Sequence, residues 1–263
     1  MHIDLQPSNS TWTWEQLRDG AVAAEHAGFN AYWVWDHLSG SAMGGPAMLE
    51  CWSLLGALAQ ATSTINIGPM VANVQNRHAA VMANAAATVQ TISGGRLLLG
   101  LGCGGGPKSP YTAEHRTVGI ALKKTLAERH ALLGENLDLL DRLWSPDRDS
   151  EYDGFPRPLP QAPKRIIGVN SEALARLAGS RADGINVRAS HDDAESLLRS
   201  AQLEAQARGC DDFQTTVWAE FDQALLDPEH TKRVQWEQWG VTRLLLVAFS
   251  PLEASSIAKF VLA

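Results

Sequence analysis

Cysteine is scarce. Only Cys51, Cys103 and Cys210 occur in 263 residues, an odd number at wide spacings, which excludes a disulfide framework and fits reduced thiols in the cytoplasm. Lysine and arginine never form a run, and at 22 they are outnumbered by 29 Asp and Glu, giving a net charge of −7. That balance argues against nucleic acid or an anionic membrane as the main partner. No stretch approaches the ~18–20 uninterrupted apolar residues of a membrane span. The opening MHIDLQPSNS has neither a basic nor an apolar leader region, so no signal peptide is expected. H-E-x-x-H, paired C-x-x-C, G-x-S-x-G and Walker sequences are all missing, and the eight histidines are scattered. Metallohydrolase, zinc and serine-hydrolase chemistries lose support, and no metal ligands are expected.

What is present is enough apolar material, 45% of residues, for one large or two ordinary domains. Short runs of branched and aromatic residues begin near Ile3, Tyr32, Ile65, Leu97, Arg165, Gly184, Thr215 and Arg243, about 34 residues apart on average. Each interval has room for one strand, one helix and two short loops, the signature of parallel strands with right-handed crossovers. Thr13 with Gln16 makes a capping-box pattern that opens a helix, and Gly28 stops it. The longest helical pattern runs from about Ala121 to Leu143. Ser171, the Ser190 to Asp193 pair, Asp227-Pro228 and Ser250-Pro251 open the later helices. Eight strand–helix units in a chain of this length predict a (β/α)8 TIM barrel, in the α/β class, with a doubly wound open sheet as the rival. No boundary divides the chain, so a single compact domain over residues 1–263 with few insertions is expected.

The chemistry-bearing residues gather at predicted strand ends, which in a barrel form the mouth. The second strand runs into Trp35, Asp36 and His37, and a carboxylate beside an imidazole can orient and recharge a proton-transfer group. The third ends in Gly68, Pro69, Met70, Val71 and Ala72. A Gly-Pro step there implies a bulge, a non-standard peptide or an early strand end. The fourth leads into Gly100, Gly102, Cys103, Gly104, Gly105 and Gly106 within a Gly/Pro-rich loop over residues 103–118. The spacing formally matches a dinucleotide fingerprint, but Pro107 and Pro110 intervene before any helix. The remaining alternatives are a tight turn or main chain brought close to a phosphate or flat ring. The fifth strand ends in Gly168, Val169, Asn170 and Ser171 directly before a helix, an anion site with Ser171 as its cap. Trp12, Trp33 and Trp35 suggest an apolar or aromatic substrate pocket.

Taken together, AEHAGFNAYWVWDHL, ECWSLLGALAQATSTINIGPMV, RHAAVMANAAATVQTISGGRLLLGLGCGG, ENLDLLDRLW, EYDG, PRPLPQAP and IIGVNSEALARLAGSRADGINV resemble, in order, blocks of the luciferase-like monooxygenase superfamily. The resemblance covers roughly residues 20 to 187. It implies a (β/α)8 barrel, often homodimeric, that binds FMN or the deazaflavin coenzyme F-420 at the mouth. It further implies a non-prolyl cis peptide within Gly68 to Ala72 against the ring's face. The phosphate would lie by Gly102 to Gly105 and Gly168 to Ser171, with Asp36 and His37 on the substrate side. Five positions depart from the family pattern: Ala79 replaces Pro, Gln90 replaces Asp, Asn170-Ser171 stands in the phosphate loop, and Gly105 takes the place of a glycine-loop Glu. The long insertion after the seventh strand of bacterial luciferases is missing.

Three functions follow from these readings. One is an F-420-dependent oxidoreductase in which hydride passes to or from a small organic substrate while His37 and Asp36 manage the proton. A second is an FMNH₂- and O₂-dependent flavin monooxygenase served by a reductase. The third is a non-catalytic flavin-binding barrel.

Overall fold

Near-continuous apolar runs make strands buried on both faces, and amphipathic segments between them make the helices that cover those strands. The computed structural model describes residues 1–260. The first half comprises β1 (His2–Pro7), α1 (Trp14–Ala27), β2 (Ala31–Val34), α2 (Cys51–Ala61), β3 (Asn66–Pro69), β4 (Ala72–Asn73), α3 (Ala79–Ile92), β5 (Leu98–Gly102), α4 (Ala113–Thr117) and α5 (Leu126–Trp144). The second comprises β6 (Lys164–Val169), α6 (Glu172–Arg181), β7 (Gly184–Arg188), α7 (Ala194–Ala207), β8 (Gln214–Glu220), α8 (Thr231–Gln238), β9 (Arg243–Ala248) and α9 (Ala254–Ile257). Positions 261–263 of the expected single domain lie outside the described residues.

Every strand pairing is parallel, in the order β3-β2-β1-β9-β8-β7-β6-β5-β4. The two ends of this order, β3 and β4, are halves of one barrel strand interrupted at Met70 and Val71. A parallel bridge from Ile67 to Leu97 joins the first half to the start of β5. The ring therefore closes with eight strand positions, as a barrel and not an open sheet. All eight expected strand starts fall within one residue of the observed ones.

Helix starts follow local chemistry. Thr13 and Gln16 form the capping box of α1, and Gly28 closes it at φ 89°. The long helix starts later than its apolar periodicity predicts, at Leu126, because Thr125 and Glu128 form a second capping box. The residues before it are a connection whose Lys123 N–H donates to Gln75 Oε1 (2.8 Å). Gln90, at the family's Asp position, has its own purpose: its Oε1 accepts from Leu97 N and its Nε2 donates to Gln161 O, fastening the Pro-rich connection under the barrel.

Two apolar layers result. The larger lies between strands and helices; the smaller fills the barrel with Ala31, Trp33, Trp35, Met70, Leu98, Ile166, Leu245 and Val247. Within the barrel Arg243 pairs with Asp4 (2.6 Å), and Trp33 Nε1–H donates to the same carboxylate (2.8 Å). No helix among the described residues is long and apolar enough to cross a membrane.

Candidate active site

The loop after β2 carries Asp36 and His37 to the mouth, and long-range bonds fix it there. Asn9 Nδ2 donates to the carbonyls of Trp35 and Leu49, while its Oδ1 accepts from Trp35 N. Asp36 is buried and fully engaged. Its Oδ1 and Oδ2 take both arms of the Arg77 guanidinium (2.6 and 2.5 Å), and Oδ2 also accepts from Asn73 N (2.8 Å). Burial works against the Arg77 cation, but the Asp36 carboxylate outweighs it and leaves the Arg77 pKa raised. Asp36 thereby holds the loops after β2 and β4 together, with both carboxylate oxygens engaged.

The partner of His37 comes from 77 residues away. His37 Nδ1 lies 2.9 Å from Glu114 Oε1, and Glu114 Oε2 accepts from Leu38 N (3.0 Å) and Ser39 N (2.9 Å). The Glu114 side chain is 1% exposed and that of His37 22%. A carboxylate at Nδ1 fixes the proton there, so Nε2 carries the lone pair of the neutral ring. Nε2 has no hydrogen-bond partner among the described residues. Tyr111 stands beside the imidazole, ring centroids 6.2 Å apart, and is 53% exposed.

Sequence reasoning missed Glu114, Arg77, Asn76 and His115. The loop over 103–118 looked irregular, yet Pro110 opens a short 3-10 turn that runs into α4. Its Glu-His doublet was the available signal. His115 is fully buried, with Nε2 2.6 Å from Asn76 Oδ1 and its Nδ1 unpartnered. Burial lowers its pKa against the pull of Glu114.

The expected cofactor seat divides into main chain and side chain. The peptide between Met70 and Val71 is cis, within the Gly68 to Ala72 segment, and Gln6 Nε2 donates to Met70 O (2.9 Å). The neighbouring glycines make room for this segment. A Cβ on Gly68 would lie 2.1 Å from Leu98 O, one on Gly100 2.2 Å from Pro69 O, and one on Gly102 2.4 Å from Val71 Cγ2. Gly168 lies against the other Val71 methyl. Val71, half-buried, therefore bridges the ends of β5 and β6. By strand alternation Ala72, Cys103 and Val169 point into the strand–helix layer, so only their main chain can meet a ligand. Burial raises the Cys103 pKa, which does not favour a nucleophilic thiolate. Gly104 turns with φ 69°, and Gly105 O accepts from Gln75 Nε2 (3.1 Å). Asn170 is exposed; Ser171 precedes α6, and its buried Oγ has no partner. An orphaned hydroxyl beside the free N–H groups of a ten-residue helix fits a phosphate. A strand leading into a loop, and not directly into a helix, excludes the dinucleotide fingerprint at Gly100, Gly102 and Gly105.

Of the three tryptophans expected around a pocket, Trp12 belongs to the strand–helix layer and Trp33 fills the barrel. Trp35 packs beside Phe249 (5.5 Å) next to a recess of about 240 Å³ lined by Glu220, Phe221, Val247, Phe249 and Leu252.

A model of the luciferase-like monooxygenase family matches residues 1–231. An F-420-dependent glucose-6-phosphate dehydrogenase from Nakamurella multipartita is 34% identical over 182 residues, 64% of this chain and 50% of that protein. A 5,10-methylenetetrahydromethanopterin reductase from Archaeoglobus fulgidus is 29% identical over 207 residues, 74% of this chain and 57% of that protein. The chain spans about half the length of these curated relatives. An F-420-dependent secondary alcohol dehydrogenase, solved in complex with an F-420–acetone adduct, has the same fold: TM-score 0.75, 18% identity, covering 98% of this chain and 96% of that one.

Proposed function

The chain belongs to the luciferase-like monooxygenase family, and we propose that it is a coenzyme F-420-dependent oxidoreductase that moves a hydride to or from a small organic substrate. The observation that carries this reading is the His37 ring, fixed at Nδ1 by buried Glu114 and free at Nε2 beside the mouth. Relatives named as F-420-dependent support the choice of cofactor.

When bound, the deazaflavin ring supplies a carbon that gives or takes the hydride. The chain supplies the rest. Met70 and Val71 offer an apolar face for the ring, with Gly102 and Gly168 close behind. Ser171 and the first turn of α6 take the phosphate. His37 Nε2 removes the proton from a substrate hydroxyl, or returns one to a carbonyl oxygen, and the Glu114 carboxylate stabilises the imidazolium so formed. Asp36 and Arg77 hold the loop that presents this ring. Trp35 and Phe249 exclude water from the side nearest β9.

The same reading takes the chain as one domain over 1–263, placed in the cytoplasm, where its three unpaired thiols stay reduced. The proposal further takes the protein as a homodimer that works with a separate reductase for its cofactor.

Binding of oxidised F-420 and of FMN, each followed by quenching of the nine tryptophans, tests the proposal. Micromolar or tighter binding of F-420 with weaker FMN binding is expected. The reverse order would favour an FMN-dependent monooxygenase, and binding of neither would sink the cofactor reading.

A further inference from the structure

One group in the network has no part in the chemistry above. His115 is completely enclosed, and its Nε2 sits 2.6 Å from the Asn76 amide oxygen. A carbonyl at that distance requires Nε2 to carry the proton, which leaves Nδ1 with a bare lone pair. That nitrogen has no partner, and Glu114 Oε1 lies 3.9 Å from it. The same oxygen lies 2.9 Å from His37 Nδ1. One carboxylate oxygen thus stands between two imidazoles, and only one of them now donates to it.

We infer that His115 is a positioning residue for His37: uncharged, it leaves Glu114 Oε1 to His37 alone, and charged, its Nδ1–H claims that oxygen and loosens the His37 ring. The consequence is an acid limit on the orientation of His37 that is set by a side chain with no access to substrate. The groups facing His115 are Glu114 and Arg116 on α4, Asp36 and His37 on the loop after β2, and Asn73 and Asn76 on the loop after β4, with Arg77 beyond them on Asp36. Burial and the Arg116 charge oppose a proton on His115, while Glu114 and Asp36 favour one. The balance is a pKa lowered from the ordinary imidazole value, so His115 charges only on the acid side of a free histidine.

This rests on His37 as the proton-handling residue, but its test needs neither cofactor nor substrate. The histidine N–H signals of the ¹⁵N-labelled full chain would be followed from pH 8 downward. In the unaltered protein the hydrogen-bonded Nδ1–H signal of His37 should fade in step with the charging of His115. His115→Gln keeps a donor for Asn76 yet cannot charge, so the His37 signal should persist about one pH unit lower. Asn76→Asp places a carboxylate on Nε2–H and should move the fading to higher pH by about half a unit or more. A purely structural His115 would give no such opposite pair of shifts. Loss of the His37 signal at one unchanged pH in both variants would overturn the inference. If His115→Gln fails to fold, an unmoved step in Asn76→Asp overturns it alone. Failure of F-420 to bind would leave these spectra as they are, so the two readings fail separately.

Discussion

On one side of the mouth, the loops after β2 and β4 and helix α4 are tied together by the Asp36–Arg77 pair, by Glu114 on three donors and by His115 on Asn76. On the side formed by β7, β8 and β9, the polar side chains have far fewer ties. Arg188 lies over the Trp218 ring at 5.0 Å, and among the described residues no carboxylate pairs with it. Glu220 borders the recess beside Phe249. The braced side holds one imidazole within the tolerance that proton transfer requires. The open side has no such bracing among the described residues.

Breaking the braced side should have the larger consequences. His37→Ala removes the proton-handling group and should lower turnover by about 100-fold or more while F-420 affinity stays within about twofold; steady-state kinetics and tryptophan quenching measure the two. Equal loss of both would mean that His37 holds the cofactor instead. Asp36→Asn leaves the Arg77 guanidinium largely buried without its counter-charge and should cost about 3 kcal/mol in urea unfolding. A change under about 1 kcal/mol would show that Glu50, 3.7 Å from Arg77, takes over the charge. The open side should be forgiving: Arg188→Ala loses only a cation–π contact at a solvent-exposed site, worth about 0.5–1 kcal/mol. A large loss of stability there would erase the distinction between the two halves.

Much of the frame was legible in the sequence because its signals are local. The strand starts follow from runs of branched residues, and α1 from a capping box three residues wide. A proline after glycine in a good strand already pointed to the irregularity that proves to be the Met70–Val71 cis peptide. The adjacent Asp36 and His37 stood out too, but their roles did not. Which of the two could exchange a proton depended on Arg77 and Glu114, and neither lies near them in sequence. The glycine string illustrates the same limit. Gly100 and Gly102 suggested room for a ligand, and the room is taken first by Pro69 and Val71.

The sequence by itself determined the βα alternation, the eight strand positions and the gathering of reactive residues at strand ends, since hydrophobic period and caps act over a few residues. Tertiary structure alone decided ring closure, the inward or outward face of Cys103 and Val169, and the meeting of His37 with Glu114. Those outcomes depend on loops brought together by the closed barrel, and a side chain's partner there is set by distance in space, which no local pattern encodes.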